Sequence, residues 1–327
     1  MTYPLKTSQD RTEAARWGYR LFLDREPESE AALAALHKAD SSSLRQAFVA
    51  STEFAGLMQR NLSLPPTIVS VSAEPNEVDV DIPKDVADQL RSHVQRTWMR
   101  LGQEAPHWSV LSSEEYRPSN IAQTEDAFYG SGNQDLTMLL GVLARHGYKP
   151  KDLHTCFEFG CGLGRVTMPL SRTFKRVIAC DISSSHLAVA QRRSGDLMRT
   201  NTTFVLADSG DFGIREGFDL WFSRIVLQHN PPPIMHAILD RAFGKLNKDG
   251  LAIFQIPTHA TGYRFDARKY VQQITGSGEI EMHCLPQRHI FELARHRGLE
   301  VLEVREDFSA GPHEHWISNV FVIRRPK

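Results

Sequence analysis

Phe157-Glu158-Phe159-Gly160-Cys161-Gly162-Leu163-Gly164-Arg165 is the stretch that decides the fold of this chain. Thr155–Phe159 is an apolar run of strand length. Three glycines at alternate positions follow it, and a helix is predicted from about Val166. Glycines at such a turn let the backbone bend sharply and approach a ligand closely. Two other glycine patterns fail here. A dinucleotide fingerprint needs G-x-G-x-x-G. From Gly160 and Gly162 the third glycine falls on Arg165, and from Gly162 and Gly164 it falls on Thr167. A phosphate-binding loop would continue into Gly-Lys-Ser/Thr, which is absent. What remains is acidic-x-Gly-x-Gly-x-Gly.

Downstream the chain repeats strand, turn and helix. Further strands are predicted at Arg176–Cys180, Thr203–Leu206, Leu220–Ser223, Ala252–Ile256, Leu299–Arg305 and Ile317–Ile323. Helical segments alternate with most of them, as in a doubly wound α/β sheet. Ligands in such sheets bind at the carboxyl ends of the strands. Those ends carry polar groups in series. Glu158 suits an ammonium group, Asp181 a pair of ribose hydroxyls, and Asp208 an exocyclic adenine amine. S-adenosylmethionine (SAM) offers all three and has no pyrophosphate to cradle. Asp181 also competes as a helix N-cap before Ser183–Ser185, and Asp208 as a turn cap.

With these motifs in place, residues 153–325 resemble the class I SAM-dependent methyltransferases. The glycine motif, Asp181, Asp208, the Phe218–Asn230 segment and Leu246–Leu251 fall in that family's order. The resemblance implies a Rossmann-like, doubly wound, seven-stranded sheet whose last strand, near 317–323, is antiparallel. It implies SAM as cofactor, held by Glu158, Gly160, Cys161, Gly162 and Gly164 at the first turn. Asp181 with Ile182, Asp208 with Ser209, and Ser223 would serve at the next three strand ends. Phe128-Tyr129-Gly130-Ser131-Gly132 resembles a segment that covers the methionine end of the cofactor in some bacterial members, which nominates Tyr129.

Residues 12–60 read as helices, with Trp17, Leu21 and Phe22, then Leu33, Leu36, Leu44, Phe48, Phe54 and Leu57 at helical spacing. Tyr19–Pro27 together with Phe48–Phe54 resembles a small helical domain of unknown role in bacterial surface and glycan-related proteins. Pro65, Pro66, Pro75 and Pro83 mark a linker. The expected organisation is a helical N-terminal domain at 1–62, a linker at 63–85, a helical lead-in or cap at 86–150, and the SAM-binding core at 151–327.

Lys plus Arg number 38 and Asp plus Glu 39, so a phosphate-backbone footprint is not expected and nucleic acid is a poor partner. No basic leader precedes an apolar run, and no apolar stretch is long enough to span a bilayer. The four cysteines form no C-x-x-C pair, and Cys156 and Cys180 lie in apolar runs. The expected compartment is cytoplasmic.

Methyl transfer to an alcohol needs a base, and His is the usual one near neutral pH. His229, in Val226–Pro231 after the fourth strand, and His283, in the insertion before the sixth, are the candidates. His313 and His315 flank Glu314 without an acidic cluster, so a solvated turn outweighs a metal site. The acceptor is expected to be a saccharide or another small polar metabolite, entering between 107–132 and 258–285. The alternative is a SAM-binding or inactive interaction module. Its N-terminal helices, carrying Leu21 and Phe22, would form a homodimer or dock a protein partner.

Overall fold

The protein is represented by a computed structural model. It describes residues 7–23, 25–36, 41–54, 74–207, 212–274, 276, 278–307, 309–310 and 316–327. The chain forms two compact units, Met1–Val69 and Ser70–Lys327.

In the first unit, helices α1 (Ser8–Leu23), α2 (Glu30–Leu36) and α3 (Ser41–Val49) enclose Ala15, Tyr19, Leu23, Leu33, Leu44 and Phe48. Gly18 is the contact point of α1 with α3, since a Cβ there would lie 2.1 Å from the Phe48 ring. The apolar spacing of α1 does not all face inward. Trp17 and Leu21 are 53% and 74% exposed, whereas Phe22 packs against the core.

The second unit is built on seven strands: β2 (Thr155–Phe159), β3 (Arg176–Asp181), β4 (Thr202–Leu206), β5 (Phe218–Ser223), β6 (Leu246–Ala260), β8 (Glu300–Asp307) and β9 (Trp316–Arg324). Their order is β4-β3-β2-β5-β6-β9-β8. The pairs from β4 through β6 are parallel, and β9 runs antiparallel to both β6 and β8. This is the expected Rossmann-like sheet with its last strand reversed. The chain winds outward from β2 to β4, then restarts at β5 on the other side of β2. The switch point between β2 and β5 is where such sheets bind ligands.

Each sheet face buries its own core. One includes Phe157, Trp221, Phe254 and Phe321. The other includes Cys156, Leu220, Phe222 and Ile253. Trp221 is fully buried, as its strand pattern predicts. All four cysteines are free and buried.

One feature departs from the sequence reading. The described end of the expected linker is part of the second unit. Glu77–Val78 (β1) pairs with Arg264–Phe265 (β7). Buried Asn76 donates to the carbonyls of Ala260 and Tyr263, at 2.6 and 3.0 Å, and accepts from the Ala260 N–H at 3.0 Å. Three bonds to main chain explain why a polar residue is buried in a Pro-marked stretch. The 86–150 region is helical, as its sequence reads. It supplies α4 (Lys84–Glu104), α5 (Pro106–Val110) and α6 (Ile121–Arg145).

Candidate functional site: the cleft at the carboxyl ends of β2, β3 and β5

The glycine loop leaves β2 with all three glycines in the left-handed region, at φ +76° (Gly160), +52° (Gly162) and +81° (Gly164). Space forbids side chains as well. A Cβ at Gly160 would lie 2.4 Å from Val226, one at Gly162 2.9 Å from Val110, and one at Gly164 2.9 Å from Met168. The N–H groups of Gly160 and Cys161 both donate to the Cys180 carbonyl, at 2.8 and 2.9 Å, which ties the loop to β3.

Asp181 closes the other side. Its carboxylate accepts from the N–H of Gly162 at 2.8 Å and of Ser183 at 2.9 Å. The N-cap of the following helix α8 (Ser184–Asp196) is Ser183, whose hydroxyl accepts from the His186 N–H. Asp181 is therefore not the cap. Each of its oxygens keeps a second lone pair at the cleft wall.

Glu158 is buried on the cleft floor and accepts from the Thr167 hydroxyl at 2.6 Å. Burial pushes its carboxyl up to about 8. Beside it, buried Asp135 on α6 bridges two arginines of the cleft wall. Arg165 lies 2.6 Å away, and Arg224 makes a close pair. The buried Nε of each arginine has no partner among the described residues.

Glu158, the loop from Gly160 to Gly162, Asp181, Ile182 and the two arginines line a cleft of about 1410 Å³, open mouth included. Ala207 and Phe212 continue the wall. Asp208 and Ser209, between them, lie outside the described residues, as do His313 and His315. Three nominated positions are not on the wall. Gly164 packs on Met168 and Ala190. The Ser223 hydroxyl turns back to the Phe159 carbonyl at 3.1 Å, joining β5 to β2. Tyr129 packs in an apolar cluster with Phe128, Tyr116 and Leu163, under the Arg193 guanidinium at 4.3 Å. Gly132 explains why α6 is nevertheless close. A Cβ there would meet the Arg165 carbonyl at 2.1 Å.

The roof was not read from the sequence. Arg91, Val94 and Trp98 form one stripe of α4, and Ser109 and Val110 of α5 continue it. The Ser109 hydroxyl lies 2.9 Å from Nε2 of buried His186. The spacing of Arg91, Val94 and Trp98 marks a helix face, but it does not say what that face covers.

His229 lies in the cleft wall beneath Trp98, with ring centres 5.3 Å apart. Its Nδ1 is 2.9 Å from the Glu281 carbonyl, and burial pushes the imidazole down to about 4. His283 is elsewhere. It borders a small side pocket, with Nδ1 2.8 Å from the Tyr263 hydroxyl and Nε2 3.2 Å from the Glu281 carboxylate. The two histidines share that side pocket, but only His229 reaches the main cleft. Among the described residues no group of three or more His, Cys, Asp or Glu could hold a metal ion. No described helix is long and apolar enough to cross a membrane.

A side-chain-free cradle, a carboxylate with outward lone pairs and a buried acid at the switch point fit SAM. The strand order and the switch-point cleft are those of a Rossmann-like fold. Residues 157–250 match the methyltransferase-domain family.

Two curated relatives overlap this region. A malonyl-[acyl-carrier protein] O-methyltransferase of Bacillus cereus is 32% identical over 108 residues, 32% of this chain and 38% of that protein. A magnesium-protoporphyrin O-methyltransferase of Rhodobacter capsulatus is 30% identical over 132 residues, 40% of this chain and 54% of that protein. The match thus spans about half or less of each relative's length. The magnesium protoporphyrin IX methyltransferase of Synechocystis PCC 6803, crystallised with S-adenosylhomocysteine, shares the fold. It superposes with a TM-score of 0.51 at 16% identity, covering 72% of this chain and 99% of that one.

Proposed function

We propose that the protein transfers the methyl group of SAM to an oxygen of a small polar acceptor, with His229 as general base. One observation carries this reading. A main-chain carbonyl occupies Nδ1 of a histidine in the cleft wall, so that nitrogen bears the proton and Nε2 is the acceptor. Burial keeps the ring neutral at pH 7, so the lone pair is available to a hydroxyl.

When bound, SAM supplies an electrophilic methyl group. The glycine loop and Asp181 fix the cofactor's position, which matters because in-line displacement depends on orientation. Glu158 offers a buried carboxylate to its cationic end. Val94, Trp98 and Ile234 line the cleft and exclude water from it. His229 takes the acceptor's hydroxyl proton at Nε2. Both curated relatives are named as O-methyltransferases, which supports oxygen as the attacked atom. Within this class we favour a saccharide hydroxyl, on the resemblance of Tyr19–Pro27 and Phe48–Phe54 to a domain of glycan-related proteins.

The test is calorimetric titration with SAM, then acceptor screening by labelled-methyl uptake. Wild type should bind at micromolar concentration, and Asp181→Ala and Gly162→Val should not. His229→Asn should keep SAM affinity but lose about 10²–10⁴-fold in turnover. A well-folded wild type that ignores SAM would sink the reading.

A further inference from the structure

His283 was a candidate base, yet both its ring nitrogens face protein groups. Its surroundings point to a different role, one served through Glu281. Residues 278–283 form no helix or strand and cross beneath α4 as a strap. The Gly278 N–H donates to the Thr97 hydroxyl at 3.0 Å, and Arg100 donates to the Gly278 carbonyl at 2.8 Å. The His283 N–H donates to the Gln228 carbonyl at 2.7 Å, beside His229 itself.

The Glu281 carboxylate is gripped in turn. It accepts from the Tyr270 hydroxyl, on helix α10 (Ala267–Gln273). It lies 3.2 Å from His283 Nε2 and 3.9 Å from His93 Nε2 on α4. His283 is backed by the Tyr263 hydroxyl at 2.8 Å. The main-chain carbonyl of Glu281 receives His229 Nδ1 at 2.9 Å.

A second chain of bonds agrees on the tautomer. Gln255 Oε1 accepts from the Ile225 N–H at 2.9 Å, so its amide nitrogen faces Ser318 Oγ at 2.7 Å and Gln228 Oε1 at 3.1 Å. That turns the Gln228 amide nitrogen toward His229 Nε2, at a loose 3.4 Å. A donor there requires a lone pair on Nε2. The contact is long enough for a better donor to displace it.

We propose that Glu281 is the positioning residue of His229. Its carboxylate, clasped by Tyr270 and His283, fixes the strap so that its own carbonyl holds the imidazole as the Nδ1–H tautomer with Nε2 toward the cleft. The inference rests on the reading of His229 as base, but its geometry is testable without any acceptor. Free imidazole side chains favour Nε2–H, so the strap works against an intrinsic preference. Among the described residues, the side pocket that His229 borders is also lined by the ionisable His93, Tyr270, Glu279, Glu281 and His283, with the Trp98 ring over the face of His229.

The experiment is long-range ¹H–¹⁵N correlation on the labelled full chain with saturating S-adenosylhomocysteine, His229 being identified by its loss in His229→Asn. Wild type should show one His229 state, protonated at Nδ1. Glu281→Ala should bring in Nε2–H signal. Glu281→Gln, whose amide oxygen still accepts from Tyr270, should restore the wild-type pattern. Tyr270→Phe keeps the ring and removes the clasp, so it should shift the tautomer even if Glu281→Ala does not fold. Nε2–H in wild type, or an unmoved tautomer in a folded Glu281→Ala and in Tyr270→Phe, would overturn the proposal. Unchanged turnover in His229→Asn would sink the base assignment alone and leave the tautomer result standing.

Discussion

Glu158 is the residue at which function and stability oppose each other. A free Glu ionises near 4.5, whereas burial holds this one at about 8. The sign follows from proton counting. Between those values the folded state holds a proton that the unfolded state has released, so this group's contribution is full below pH 4.5 and lost as pH rises to 8. At pH 7 to 8 the cost is on the order of 3 kcal/mol. Glu158→Gln keeps an acceptor for Thr167 and removes the titration. The ligand-free variant should therefore unfold at higher denaturant than wild type at pH 8, and the gap should close toward pH 5. A cation beside Glu158 reverses the preference, because it favours the ionised form. SAM binding should release a proton below pH 8, with affinity rising by up to about tenfold per pH unit and flattening above 8. Calorimetry in two buffers of different ionisation enthalpy reads that proton directly. A proton count of zero at pH 7 would refute the coupling.

The elements differ in how far the sequence exposes them. The glycine loop and Asp181 were legible because their constraint is local. Three left-handed residues need glycine wherever they occur, and a carboxylate one residue past an apolar run marks a strand end. The roof was not legible. Arg91, Val94 and Trp98 say that α4 is amphipathic, and nothing in that spacing says whether the stripe meets a core or a cleft. Two-residue strands such as Glu77–Val78 are too short to leave a period. Phe128–Gly132, nominated as a cofactor cover by resemblance, packs Tyr129 in an apolar cluster and uses Gly132 for close helix packing. Gly132→Val should therefore act through the fold. Its side chain would collide with the Arg165 main chain, and overpacking of this kind costs about 1–3 kcal/mol. Denaturant unfolding should show that loss. Tyr129→Phe should leave SAM affinity unchanged in calorimetry, whereas Trp98→Ala should weaken it by removing the roof.

At the scale of the molecule, the described residues around the cleft run from Arg91 to Arg241. All belong to the second compact unit, which also contains both large sheet cores. The first unit has its own small core of Tyr19, Leu33, Leu44 and Phe48, and it contributes no described residue to the cleft. A unit with its own core can fold by itself, so cofactor binding should be separable from whatever the first unit does. Deleting residues 1–69 should leave an ordered protein whose SAM affinity stays within about threefold of the full chain. The cut falls before Asn76, whose three main-chain bonds to Ala260 and Tyr263 hold the start of the second unit in place. A second deletion, of residues 1–83, removes Asn76 and β1, and should lower the thermal midpoint relative to the first while keeping the glycine loop intact. If the shorter deletion already abolishes SAM binding in a folded protein, the first unit belongs to the cofactor site. If it preserves binding but abolishes methyl uptake once an acceptor is known, the first unit selects or presents that acceptor.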